Sequence, residues 1–108
     1  MKYVVLADGT RIDNCNDSTT PNEIYVIRET YGEAAAVRDL FTAENASVIR
    51  VYNSNDILDS VGSDLVLEDR ANLFPSVEGI ICNIIVRAKT NEEKMQDEIR
   101  ELQDVVLG

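Results

Sequence analysis

The sequence predicts an α+β fold, mainly an antiparallel sheet with one helix inserted between strands and an amphipathic helix at the C-terminus. Three observations carry that reading. Short β-branched and apolar runs recur between turn-forming clusters. Two T-x-x-E capping boxes, Thr30 with Glu33 and Thr90 with Glu93, each open a stretch of helical periodicity. The most apolar run, "GIICNIIVRAK" at 79–89, carries apolar residues on both faces of an extended segment, as a central strand does.

Taken in order, "KYVVLADGTRIDN" reads as a β-hairpin, with Lys2 to Leu6 extended, Asp8-Gly9 turning, and Thr10 to Ile12 returning. "NCNDSTTPN" at 14–22 holds mostly turn and cap formers and reads as a polar loop, with Cys15 exposed in it. "EIYVIRE" at 23–29 alternates and predicts a strand. Over 30–42 the period changes to that of a helix. Ala34, Val37 and Phe41, flanked by Leu40, form the apolar stripe, and Ala34-Ala35-Ala36 lets the helix lie close to a sheet. "SVIRVYN" at 47–53 is the next strand, followed by a turn at Asn53-Ser54-Asn55-Asp56. Residues 57–70 predict a hairpin turning at Val61-Gly62-Ser63-Asp64, and Pro75 predicts a short loop. In 79–89, Ile80, Cys82, Ile84 and Val86 share one face, and Ile81, Asn83, Ile85 and Arg87 the other. Apolar residues on both faces predict a central, covered strand.

The final stretch, "TNEEKMQDEIRELQDVVLG", carries Met95, Ile99, Leu102 and Val106 at spacings of four, three and four. This seam is narrower than the apolar face of a helix that packs on a sheet. Two partners fit it: the sheet of its own chain, or copies of itself. The strict seam favours self-association, with Ile99 and Val106 at a, Met95 and Leu102 at d, and Glu98, Glu101 and Lys94 near the flanks. A dimeric coiled coil is the first expectation and a trimer the second. The expected organisation is a sheet domain over 1–89 and an oligomerising helix over 90–108.

With 108 residues and a net charge of −10, the chain is one domain with an acidic surface. Residues 1–90 carry 14 acidic and 8 basic side chains, and 91–108 carry 6 and 2. That balance opposes direct binding to nucleic acid, which needs clustered Lys and Arg. It suits a solvated surface, or a carboxylate display that stands in for nucleic acid on a basic partner. No apolar run approaches the length of a membrane span, and no secretory signal opens the chain, so no membrane partner and a reducing, cytosolic setting are expected. The sequons at Asn16 and Asn45 are then chance matches.

The absence of histidine rules out Ser-His-Asp and Cys-His systems and any histidine-based metal site. No phosphate-binding glycine loop is present. Cys82 reads as a small core residue, and Cys15 has no cation or helix start to activate it. Asp13, Cys15 and Asp17 occupy the first, third and fifth places of a calcium loop. Cys15 is a poor ligand there, Ser18 replaces the glycine, and Ile24 replaces the last carboxylate. Asp56, Asp59, Asp64, Glu68 and Asp69 read as solvated turn carboxylates rather than a catalytic pair. No enzyme, metal or cofactor is expected.

"LADGT", then "NC" and "ST", then "YGEAAAVRDLFTAENASVIRV", and last "EKMQDEIRELQ" resemble small proteins encoded by tailed phages and prophages of Firmicutes. Those proteins are mostly of unassigned role and often lie among virion-structure genes. The likeness covers most of the chain and carries no functional residue. It implies a phage context, in the virion or the host cytoplasm. The role is then either a virion-structure or assembly protein contacting itself and other phage proteins, or a small acidic accessory protein that inhibits a host defence protein.

Overall fold

A computed structural model describes the backbone of residues 1–107, with the side chains of 1–68 and 72–100. The fold is α+β, with seven strands in one sheet, all neighbouring pairs antiparallel. The strands are β1 (Lys2–Leu6), β2 (Arg11–Cys15), β3 (Glu23–Arg28), β4 (Ile49–Tyr52), β5 (Leu58–Gly62), β6 (Leu65–Ser76) and β7 (Gly79–Ala88). Helix α1 (Tyr31–Leu40) lies between β3 and β4, and α2 (Asn91–Leu107) ends the chain. The sheet order is β5-β4-β1-β2-β3-β7-β6.

That order corrects the hairpin expected over 57–70. β5 and β6 stand on opposite edges of the sheet, joined only by Ser63 and Asp64. Seven flat strands would hold their outer members about 29 Å apart, six spacings of about 4.8 Å. Three peptide steps from Gly62 to Leu65 span about 11 Å at most. The sheet therefore curls until the end of β5 meets the start of β6. At that junction a Cβ on Gly62 would stand 2.9 Å from the Pro21 Cβ and 3.0 Å from a Leu65 methyl, so the approach requires glycine.

Inside the curl lies one core. Val4, Leu6, Ile12, Ile24, Val26, Ile49, Val51, Ile84 and Val86 supply the strands' inward side chains, and α1 adds Ala34, Val37 and Phe41. The α1 stripe matches the sequence reading, with Leu40 left partly exposed beside it. Its start is fixed as the capping box requires: the Thr30 hydroxyl accepts the Glu33 backbone N–H at 3.1 Å.

Other boundaries shift for local reasons. β2 runs on to Cys15, and Cys15 is fully buried, which corrects the exposed-loop assignment. Lys2 pairs with Cys15 and Val4 with Ile12, so β2 spends three residues where β1 spends two. The extra residue forms a bulge in which Asn14 takes a positive φ of 65°, and it turns Cys15 back into the core. Pro75 stands inside β6 rather than in a loop. β6 is an edge strand, so the missing N–H costs no ladder bond. The strand expected from 47 begins at Ile49, after a 3-10 turn at Asn45–Ser47. β7 is interior, between β3 and β6, with its Cys82 face in the core. On its other face Asn83 is buried and Ile81 and Ile85 are half-buried, so that side is covered less completely than the core side.

Candidate functional site

The C-terminal helix is tied to the sheet by charge. Its capping box is reciprocal: the Thr90 N–H donates to a Glu93 carboxylate oxygen at 3.1 Å, and the Glu93 N–H to the Thr90 hydroxyl at 3.2 Å. Arg87, at the end of β7, donates to both oxygens of Glu93 at 2.7 and 3.3 Å. The Lys89 ammonium donates to Asp97 at 2.7 Å. The Arg87 guanidinium, helped by the Thr90 donors, pulls the Glu93 carboxyl from 4.5 down to about 2.

These ties leave the seam pointing away. At about 100° per residue, Glu93 and Asp97 lie roughly 160° round the helix from Met95 and Ile99. Met95 is 61% exposed and Ile99 52% exposed. The described part of the seam therefore does not fold back on its own sheet. The side chains of Leu102 and Val106, the other two seam residues, lie outside the described ones. Beside the foot of the helix are two open grooves of about 560 and 580 Å³ that share Lys89 and Arg100. The first is lined by charged side chains, including Lys94, Asp97 and Glu98.

A second surface, absent from the sequence reading, lies on the outer face at the opposite sheet edge. Tyr3, Tyr52 and Leu58 are cross-strand neighbours on β1, β4 and β5. The two tyrosine rings stack at 4.9 Å and 8°, and the Arg11 guanidinium lies 3.7 Å over Tyr3. In the adjoining row Arg11, Val5, Arg50 and Val61 are successive partners. Leu58 and Val61 are 49% and 55% exposed, and Ile57 beside them 60%. The sequence signal was the alternation of Tyr3 and Val5 with buried Val4 and Leu6, and of Arg50 and Tyr52 with buried Ile49 and Val51. Nothing local says that those strands are neighbours.

No family model, no curated protein and no solved structure matches this chain. Its surfaces have to be read from their own chemistry.

Burial raises the Cys15 thiol to about 12 and Cys82 to about 11, far above the range in which a thiolate forms at neutral pH. The 14–22 loop is stitched by side chains. Asn16 accepts the Ser18 N–H at 2.8 Å, Thr20 the Glu23 N–H at 3.2 Å, and Thr19 the Tyr25 N–H at 3.2 Å. Of the calcium-like positions, Asp13 pairs with Arg11 at 2.7 Å and Asp17 with the N-terminal ammonium at 3.4 Å. Among the described residues no three metal-ligating side chains converge. The turn carboxylates are dispersed: Asp56 after β4, Asp59 on β5 paired with Lys2 at 2.9 Å, Asp64 in the β5–β6 link and Glu68 exposed on β6. The side chain of Asp69 lies outside the described ones. No described helix is long and apolar enough to cross a membrane.

Proposed function

We propose that this chain is a non-enzymatic virion-structure or assembly protein of a tailed phage, acting through protein–protein contacts and self-association. The observation that carries the reading is the orientation of the described part of α2, whose ion-paired Glu93 and Asp97 meet Arg87 and Lys89 at the end of β7 and whose Met95 and Ile99 are exposed. Such a face is retained at a cost in solubility unless another chain covers it. The likeness of the sequence to phage proteins supplies the context. Sedimentation of the full chain tests the association: the wild type sediments as an oligomer, and Met95→Asp with Ile99→Asp as a folded monomer. A wild type that is already monomeric removes the reading's main support. Mass spectrometry of purified particles tests the location, and absence from the particle overturns it. In that event the net charge of −10 favours the second reading, an acidic accessory protein that occupies a basic surface on a host defence protein.

A further inference from the structure

We propose that Arg87 and Lys89 form a two-pronged electrostatic latch that aims α2, and that the helix swings about the Lys89–Thr90 junction when the latch opens. The inference concerns the helix on its own chain and does not depend on self-association. Three observations carry it. The first is the junction itself. The Lys89 N–H donates to the Asp64 carbonyl oxygen at 2.9 Å, which fixes that residue to the link between β5 and β6. The Thr90 N–H and hydroxyl are given instead to Glu93, so the next residue already belongs to the helix. The backbone torsions between them therefore set the direction of α2. The second is what crosses the junction. Among the described residues the Arg87–Glu93 fork and the Lys89–Asp97 pair do so, with Met95 and Ile99 exposed on the far side of the helix. Glu93 and Asp97 share one helix face about 6 Å apart along the axis, so the two contacts together fix both tilt and roll. The third is the open groove at the foot of the helix, lined by Asp64, Lys89, Lys94, Asp97, Glu98 and Arg100. Its walls are all charged, so no apolar contact there keeps the helix in place.

The sheet holds a second set of partners for the same two cations. Asp64 borders the groove with Lys89, and Glu68 lies two residues along β6 from Val66, the register partner of Arg87. Both carboxylates are exposed. Hydrogen bonding to Glu93 and Asp97 raises the pKa values of Arg87 and Lys89, and the nearby charges of Glu68 and Asp64 add to that effect. Opening the latch trades helix carboxylates for sheet carboxylates and strands neither cation, which makes a second direction of the helix accessible. A partly exposed ion pair favours its closed form by about two- to fivefold, so the two together hold α2 at roughly ten to one. Ionic strength, which screens such pairs, then sets the angle at which Met95 and Ile99 are presented.

Spin labels on Gln96→Cys in α2 and Asn55→Cys after β4 read the direction as a distance, with the two buried native cysteines left unlabelled. The labelled full chain is diluted into unlabelled chain, so that distances between copies do not contribute, and circular dichroism reads the fold. At about 50 mM salt one distance dominates, with a second at roughly a tenth of the signal. Arg87→Gln with Lys89→Gln raises the second to about half, and about 0.5 M salt moves the unsubstituted chain part of the way. Asp64→Asn with Glu68→Gln removes the competing carboxylates and lowers the second distance instead. Repeating the series with Met95→Asp/Ile99→Asp removes any restraint from a second copy, and that series decides. A distribution left unchanged by loss of both cations and by salt overturns the latch. A second distance that grows in Asp64→Asn/Glu68→Gln overturns the exchange of partners.

Discussion

Replacing Ile84 by Ala, beside the parallel change at Ile85, tests the register of β7 and with it the whole inward face. Ile84 is fully buried and stands opposite Ile24, which is also fully buried, while Ile85 is half-buried opposite exposed Glu23. Ile84→Ala removes three carbon groups from the core, a transfer loss of about 2.4 kcal/mol at about 0.8 kcal/mol each. The unfilled space adds a cavity term that brings the total to about 2–5 kcal/mol. Ile85→Ala opens no enclosed cavity and costs about 1 kcal/mol. In a chain of this length the first change lowers Tm by about 10–20 °C and the second by about 5 °C. Thermal unfolding by circular dichroism, with urea titration to compare midpoints, measures both. Equal losses, or a larger loss at Ile85, would refute the reasoning, because a one-residue slip exchanges the two faces.

Three further outcomes are expected. Cys15 and Cys82 react with a thiol reagent at comparably slow rates in the native protein and rapidly in denaturant; fast native labelling of Cys15 would return it to an exposed loop. Glu93 has a depressed pKa, so its pairing with Arg87 contributes fully above pH 4.5 and is lost as pH falls towards about 2. Amide exchange in the first turn of α2 should accelerate across that window, and Glu93→Gln should abolish the pH dependence. Gly79 has φ of 137°, and a Cβ there would lie 2.5 Å from the Arg28 carbonyl oxygen. Gly79→Ala should therefore destabilise by about 2 kcal/mol or more in a urea titration, and a neutral result would contradict the turn geometry.

Much of the fold was legible because it is written locally. Asp8-Gly9 between two strands, the capping boxes at Thr30 and Thr90, and the alternation of Ile80, Cys82, Ile84 and Val86 each report on their own segment, and the structure keeps them. What failed depended on distant partners. Gly62, Ser63 and Asp64 look like a hairpin turn, and Asp64 does take a positive φ of 51°. Whether the strands on either side pair is decided by β4 and β7, which claim β5 and β6 on opposite edges. Cys15 was misplaced because its polar neighbours dominate the local composition and one bulged residue breaks the alternation. In the candidate site, the seam of α2 was visible as a spacing, whereas the exposure of Met95 and Ile99 depends on Arg87 and Lys89 holding the opposite side of the helix. The tyrosine and arginine face was invisible, since it joins residues of four strands from both halves of the chain.

The pairing of β3 with β7 sets an order on folding. β1, β2 and β3 meet through short connections, as do β4 and β5, and as do β6 and β7. Ile24 and Ile84 reach each other only by closing a loop some fifteen times longer than the turn between β1 and β2. On the logarithmic scale of loop closure that step costs about 2 kcal/mol more before any contact compensates it. Stopped-flow refolding should therefore show the N-terminal meander gaining protection first, with substitutions there lowering the folding rate.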